Sequence, residues 1–299
     1  MTTPTRCGFV ALIGAPNAGK STLLNQLVGQ KVAIVTHKVQ TTRTRITGIA
    51  LDGAAQLVFL DTPGIFRPKR RLDRAMVSAA WEGAGDADMV VLLVDAAAGL
   101  TDEVQAILDR LAETDRRVVL ALNKIDRIRR DSLLALSQRL FDTGLIDAVF
   151  MISALTGDGV EDLKHHLAGR APEGPWHYPE DQVTDVTQRL LAAEITREKV
   201  YLRLHQELPY AVTVETEDWQ DRADGSVRIE QVIHVTRDTH KGIVIGKGGR
   251  TLKALGEAAR ADLGALLERP VHLFLHVRVT PDWADKRDHY RDMGLDWVE

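Results

Sequence analysis

The chain of 299 residues has a single cysteine, Cys7. That excludes an intramolecular disulfide, and no Cys/His cluster offers ligands for zinc. Cys7 lies just before an apolar run and reads as a small core or edge residue. No apolar stretch reaches the ~18–20 residues that a membrane-spanning helix requires. The longest runs, such as Met89–Val94, are of strand length. The opening MTTPTRCGF lacks the apolar core of a secretory signal, and with the single cysteine it points to a reducing cytoplasm. A large charge excess is missing too. The net charge is −4, which excludes a generic polyanion binder. Residues 1–174 hold 21 Lys and Arg against 20 Asp and Glu, while residues 175–299 hold 17 against 22. Any binding of nucleic acid must therefore come from a local basic patch. There is no internal repeat and no low-complexity tract.

What is present, 44% hydrophobic and 27% charged residues, is the composition of a globular protein long enough for two domains. In the first half, apolar runs alternate with helical stretches. The runs are Phe9–Ile13, Leu57–Leu60, Met89–Val94, Val118–Leu122 and Ala148–Ile152. Their continuous Val, Leu and Ile content suits strands buried on both faces of a parallel sheet. Helices are predicted near Ser21–Val28, Asp73–Gly83, Asp102–Glu113, Asp131–Phe141 and Val160–Leu167. This alternation argues for a doubly wound α/β domain.

The pattern breaks at Ala171-Pro172-Glu173-Gly174-Pro175. The expected organisation is a first domain over residues 1–172, a linker over 173–183 and a second domain over 184–299. The second half predicts a long helix over Thr184–Glu207 and strands at Ala211–Thr216 and Val227–Thr236. A glycine-rich turn, a helix over Arg250–Leu267 and a strand at Val271–Thr280 follow. In that last strand Leu273, Leu275, Val277 and Val279 share one face, and His272, Phe274, His276 and Arg278 the other.

Gly14-Ala15-Pro16-Asn17-Ala18-Gly19-Lys20-Ser21 fits G-x-x-x-x-G-K-[ST] between a strand and a helix, the context this phosphate loop needs. Its amides can face a β-phosphate, and the helix that runs on through Thr22 adds positive potential. Lys20 can reach the β- and γ-phosphates, and Ser21 can offer its hydroxyl to Mg²⁺. Asn123-Lys124-Ile125-Asp126 emerges at the carboxyl end of another strand, where open α/β sheets bind ligands. The Asp126 carboxylate can accept from N1–H and N2 of guanine. Against adenine it would lack partners, at a cost of roughly 1–3 kcal/mol or more. In Asp61-Thr62-Pro63-Gly64 the aspartate can hold Mg²⁺ through water, and the Gly64 amide can meet a γ-phosphate. Ser153-Ala154 can place backbone groups on the guanine edge.

These four blocks, in this order, resemble the translation-factor-like class of small P-loop GTPases. The resemblance implies a mostly parallel, six-stranded, doubly wound sheet. It also implies a Mg²⁺-binding threonine between the first helix and the second strand. In Gln40-Thr41-Thr42-Arg43, Thr42 matches best and Thr41 nearly as well. The water-positioning glutamine that such proteins carry after D-x-x-G is absent: Ile65 stands there, and an apolar side chain cannot orient water. Similar GTPases use K⁺ in place of an arginine finger, and their potassium-binding asparagine matches Asn17. The resemblance implies slow turnover that K⁺ and a partner accelerate, with Lys20, Thr42, Asp61, Gly64 and Asn17 as the reacting site. Arg43 and Arg45 either act in cis or are solvated.

In the second half, Gly246-Lys247-Gly248-Gly249 is a G-x-x-G turn before a helix. From Arg237 to Lys253 there are five basic residues (Arg237, Lys241, Lys247, Arg250, Lys253) against Asp238 alone. Such a loop in a KH domain clamps about four nucleotides of backbone. The whole set of features resembles the Era family along nearly the full chain. It includes Tyr178-Pro179-Glu180-Asp181-Gln182, Ala192-Ala193-Glu194-Ile195, Arg197-Glu198-Lys199, Gln206-Glu207-Leu208-Pro209 and Ile245-Gly246-Lys247-Gly248-Gly249. The resemblance implies an α+β type II KH domain, binding of the 3′ end of 16S rRNA and a role in assembly of the 30S subunit. RNA contacts would fall on Lys241, Gly246, Lys247, Gly248, Gly249, Arg250 and Lys253. A monomer with peripheral contact at the inner membrane is also implied. Rival GTPases with tandem G domains, or acting in tRNA modification, are disfavoured by the single N-terminal phosphate loop. Asp126 disfavours an ATPase. Complete Lys20, Ser21, Asp61 and Asp126 disfavour an inactive RNA-binding module.

Replacing Asn17 with Ala should abolish stimulation by K⁺. Equal wild-type rates in Na⁺ and K⁺ would dismiss potassium from the site.

Overall fold

The computed structural model describes residues 4–38, 41–114, 116–204, 211–281, 283, 287 and 295–298. They form two compact units, and the chain passes from one to the other at Asp185/Val186. Residues Ile34–Thr41 group with the second unit, and the final residues group with the first.

The first unit is built on a six-stranded sheet in the order β2-β3-β1-β4-β5-β6. Its strands are β1 (Arg6–Gly14), β2 (Ile46–Asp52), β3 (Ala55–Asp61), β4 (Met89–Asp95), β5 (Val118–Asn123) and β6 (Ile146–Ile152). All neighbours pair in parallel except β2, which runs antiparallel to β3. Strand β2 is absent from the five apolar runs of the sequence because Thr47 and Gly48 interrupt it. Gly53, at φ 57°, turns the chain between β2 and β3. The helices are α1 (Lys20–Val28), α2 (Arg71–Asp86), α3 (Asp102–Ala112), α4 (Arg130–Phe141) and α5 (Val160–Arg170). One apolar core packs α2, α3 and α4 through residues such as Ala80, Ile107 and Leu140 against Leu92 and Leu120. Helices α1 and α5 contact each other and pack against β1, β2 and β3. This is the doubly wound arrangement expected.

Local signals set the helix starts. The Thr101 hydroxyl caps α3 by accepting from the Val104 amide. The Asp73 carboxylate accepts from the Lys69 and Arg70 amides, each at 3.0 Å, so α2 begins two residues before the predicted start. The segment after α5 is pinned to the first unit. Cys7 donates its amide to the Pro172 carbonyl, Trp176 its indole N–H to Ala54, and Ile49 its amide to Val183.

The second unit has a three-stranded sheet, β7 (Val212–Asp221), β8 (Val227–Val235) and β9 (Val271–Val279), in the order β7-β8-β9. Strands β7 and β8 are antiparallel; β8 and β9 are parallel. Its helices are α6 (Gln188–Arg203), α7 (Asp238–Ile245) and α8 (Arg250–Leu267). Helix α6 starts four residues later than predicted. The Thr187 hydroxyl caps it, and Val183 and Thr184 are already hydrogen-bonded to the first unit. Its predicted end and the Gln206–Pro209 phrase lie outside the described residues. Where a turn was predicted after β8, residues 238–245 form α7, and glycine conformations appear only from Gly246 onward. Helix α8 buries Leu255, Ala259 and Leu263 at intervals of four. The β9 alternation is as expected, but its inner face is only half-buried because β9 is a sheet edge.

Leu92 sits in the central strand β4 and is wholly buried. Leu92→Ala should lower the unfolding free energy by about 2–5 kcal/mol, read as a lower urea midpoint.

Candidate guanine-nucleotide site and basic groove

In the first unit, the carboxyl ends of β1, β3, β5 and β6 carry the four sequence blocks. After β1 the chain turns through Asn17 at φ 61° and Gly19 at φ 102°. Gly19 admits no other residue easily: a Cβ there would lie 2.3 Å from Asn123 Nδ2. That nitrogen donates to the Ala18 carbonyl at 2.8 Å. Asn123 Oδ1 accepts from the Lys124 amide at 2.8 Å and the Ala154 amide at 2.9 Å. One buried amide side chain therefore joins the phosphate loop, the Asn123–Asp126 loop and the Ser153-Ala154 loop.

Lys124, at φ 66°, carries its ammonium to the Asn17 carbonyl (2.7 Å) and to Asp95 at the end of β4 (2.6 Å). Asp95 is a site residue that sequence motifs do not reveal, although its place at the end of a central strand is a usable signal. The Ser153 hydroxyl donates to Asp126 Oδ1 at 2.7 Å, which orients the carboxylate, and Oδ2 lies 3.8 Å from Arg127 Nε. Ile125 packs at the margin of the apolar core.

At the phosphate end, Lys20 is buried and donates to the Gly14 and Ala15 carbonyls at 3.0 and 3.1 Å. Burial pushes its ammonium down to about 8, with Asp61 opposing. Burial likewise pushes Asp61 up to about 6 against Lys20, Ser21 and Thr42. Both charges are poorly solvated, so a polyphosphate beside Lys20 and a cation beside Asp61 would each relieve one of them.

Ser21 Oγ lies 2.8 Å from Thr42 Oγ1 and donates to Asp61 Oδ2 at 2.5 Å. Asp61 Oδ1 is buried with no hydrogen-bond partner among the described residues. Three hard oxygen donors and one unsatisfied carboxylate oxygen fit Mg²⁺. The arrangement also separates the two threonines. Thr42 joins Ser21 and Asp61, whereas Thr41 donates its hydroxyl to the Lys38 carbonyl at 2.7 Å.

Three expectations change. The Thr62 side chain is wholly buried and donates to the Leu12 carbonyl, so only its backbone faces a nucleotide. Arg43 is buried, 2% exposed, while Arg45 is exposed, so only Arg45 is solvated. Ile65 donates its amide to the Gly14 carbonyl at 3.0 Å and turns its side chain into the apolar core.

In the second unit, Gly246 (φ 72°), Gly248 (φ 63°) and Gly249 (φ 75°) wind the chain from α7 into α8. A Cβ on Gly246 would meet Thr251 Oγ1 at 2.1 Å. Lys247, Arg250 and Lys253 are exposed, and Arg250 Nε donates to the Lys247 carbonyl at 3.2 Å. Between α8 and β9 runs a groove of about 410 Å³ whose lining includes Gly249, Lys253, Glu257, Arg260, Phe274 and Leu275. Phe274 is 45% exposed, and the Arg228 guanidinium lies 5.0 Å over its ring. Aromatic and guanidinium faces are what unpaired bases stack on. Lys241 sits on α7, outside this lining. Arg260 and Phe274 escape motif reading because α8 and β9 meet only in the fold.

These two units define a P-loop GTPase joined to a KH domain. A family model described as a 50S ribosome-binding GTPase matches residues 9–124, and a KH-domain model matches residues 207–284. GTPase Era of Rhizobium meliloti (strain 1021) is 60% identical over 98% of this chain and 94% of its own length. That of Dinoroseobacter shibae is 61% identical over 98% and 96%. The chain belongs to the Era family of GTPases. A crystal structure of Era in complex with MgGDPNP and nucleotides 1506–1542 of 16S ribosomal RNA superposes with a TM-score of 0.92. It has 36% identity and covers 97% of this chain and 99% of that one. A variant of Aquifex aeolicus Era bound to GDP·AlF4⁻ matches equally well.

Asp126→Asn should lower GTP affinity by about 10- to 100-fold and confer binding of xanthosine triphosphate, whose C2 carbonyl can accept from the new amide. Competition between the two nucleotides measures this. Undiminished GTP affinity would remove Asp126 from the base site.

Proposed function

We propose that this protein binds and hydrolyses GTP in its first unit and binds the 3′ end of 16S rRNA in its second, acting in assembly of the small ribosomal subunit. The observation that carries the reading is the pairing, in one chain, of a complete guanine-nucleotide constellation with a glycine-turned basic groove that displays an aromatic face. The solved Era complex, similar over 97% of this chain, holds MgGDPNP and a 16S rRNA segment together.

In this reading Gly14 to Thr22 cradle the phosphates, with Lys20 on the β- and γ-oxygens. Ser21, Thr42 and Asp61 hold Mg²⁺, which when bound neutralises charge building on the transferred phosphoryl group. Asn123, Lys124, Asp126, Ser153 and Ala154 select and seat the guanine. The Gly64 amide orients the γ-phosphate. With Ile65 buried, no side chain at that position orients the attacking water, which supports a slow intrinsic rate. Asn17 is exposed in the phosphate loop, which supports it as the K⁺ ligand, and RNA supplies a further stimulus. The KH groove takes a single strand: the amide-rich turn and Lys247, Arg250 and Lys253 meet phosphates while bases reach Phe274. We place the protein in the cytoplasm as a monomer, with only peripheral contact at the inner membrane. Among the described residues no helix is long and apolar enough to cross a bilayer.

Changing Lys247 and Arg250 together to Glu should abolish binding to an oligonucleotide of the 16S rRNA 3′ end while GTP affinity stays at the wild-type value. The same titration, run with GTP and with GDP and challenged with purified 30S and 50S subunits, tests the partner. Unchanged RNA binding by the double variant would overturn the assignment of the groove. Capture by 50S alone would favour the large subunit that the GTPase family model names.

A further inference from the structure

Within the first unit, two neighbouring residues tie the phosphate loop to the Asn123–Asp126 loop, and the two ties differ in kind. Asn123 Nδ2 donates to the Ala18 carbonyl from a residue that is 2% exposed. Lys124 Nζ donates to the Asn17 carbonyl at 2.7 Å from a side chain that is 23% exposed. The first tie is a short planar amide sealed from water. The second hangs on a flexible four-carbon stem, within reach of solvent that can replace it. It also joins two of the three non-glycine residues with positive φ among those described, Asn17 and Lys124. Backbone of that kind persists where its surroundings over-determine it, and it concentrates at ligand sites.

A mobile ammonium stays on one carbonyl when a second group fixes it there. Asp95 is that group: its Oδ2 lies 2.6 Å from Lys124 Nζ. Asp95 is itself held. Its Oδ1 accepts from the Ala97 amide at 3.0 Å and the Ala98 amide at 3.4 Å, and its carbonyl accepts from the Ala98 and Gly99 amides. The Ala96 amide next to it donates to the Asn123 carbonyl at 2.8 Å. The carboxylate is therefore anchored through one oxygen and meets Lys124 with the other. A hydrogen bond between two ionised groups is roughly twice as strong as a neutral one. Because the carboxylate is already ordered, only the lysine stem loses freedom when the pair forms.

We propose that Asp95 is a positioning residue for the nucleotide: by fixing the Lys124 ammonium on the Asn17 carbonyl, it keeps the releasable tie between the two loops closed and so sets how long GTP or GDP stays bound. This rests on reading these loops as the phosphate and guanine subsites. Asp95 touches no part of the nucleotide. A nucleotide that spans both subsites leaves when the loops part, so loss of Asp95 appears in the dissociation rate and not in the association rate. GTP and GDP respond alike, because both carry the guanine and the β-phosphate that the two loops hold.

The test uses the full-length protein with Asp95→Asn, Asp95→Ser, Lys124→Met and the double variant Asp95→Asn with Lys124→Met. Asn and Ser each keep an oxygen for the Ala97 and Ala98 amides, so the turn after β4 survives, and neither offers Lys124 an anion. Met keeps the alkyl stem and removes the ammonium. Stopped-flow exchange of fluorescent GDP and of a fluorescent, non-hydrolysable GTP analogue gives both rate constants, and the urea midpoint shows that each variant is folded. Both Asp95 variants should speed dissociation of both nucleotides by about 3- to 10-fold, with association at the wild-type rate. Lys124→Met should speed it at least as much, and Asp95→Asn should add nothing in its presence, because Asp95 acts only through that ammonium. Losses that multiply in the double variant overturn the proposal, since Asp95 would then act by another route. Wild-type dissociation from folded Asp95→Asn and Asp95→Ser, beside an impaired Lys124→Met, overturns it alone. Wild-type GTP affinity in both Lys124→Met and Asp126→Asn overturns the guanine-subsite reading and this proposal with it.

Discussion

The side-chain amide of Asn123 is the interaction on which the nucleotide site depends. Its nitrogen is committed to the Ala18 carbonyl and its oxygen to the amides of Lys124 and Ala154. An amide donates and accepts from one planar group, so neither aspartate nor leucine replaces it. Because it is buried, each of these hydrogen bonds is formed in a medium where leaving it unmade is expensive. The three loops it joins come from positions 18, 124 and 154, and it ties them together beyond the ends of the strands. Gly19 is part of the same constraint, since any side chain there would displace the Asn123 nitrogen.

Most of the first unit was legible in the sequence because its strands are buried on both faces and its motifs sit at strand ends. Strand β2 was not, because Thr47 and Gly48 dilute the apolar pattern that five other strands show. Asp52-Gly53 was the available signal, a tight-turn pair before an apolar run. Helix α7 was hidden by Gly242 within it and by the glycines after it. The choice between Thr41 and Thr42 could not be made from adjacent identical residues. Their hydroxyl partners differ, Ser21 and Asp61 for Thr42 and Lys38 for Thr41, which supports the reading of Thr42. In the second unit the glycine turn was legible, but the groove was not. Phe274 and Arg260 lie on separate elements whose approach depends on Leu255, Ala259 and Leu263 packing α8 onto the sheet.

The two sites treat charge in opposite ways. In the nucleotide site Lys20 and Asp61 are buried, each pushed toward its neutral form, so that a ligand of matching charge restores what folding took away. In the groove the cations are exposed, and attraction between such cations and phosphate is screened by water and salt. The first arrangement favours tight binding of a small ligand, and the second favours exchange along a chain of phosphates.

The exposed cations Lys247, Arg250 and Lys253 stand on a half of the chain, residues 175–299, in which 22 acidic residues oppose 17 basic ones. At physiological ionic strength a charge is felt over only ~8 Å. A polyanion beyond that range meets a weakly repulsive body, and one within it meets the basic turn. Capture therefore depends on orientation at close approach more than on long-range steering. Added salt weakens the repulsion as well as the attraction, and the association rate should respond to ionic strength less steeply than that of a uniformly basic RNA-binding domain.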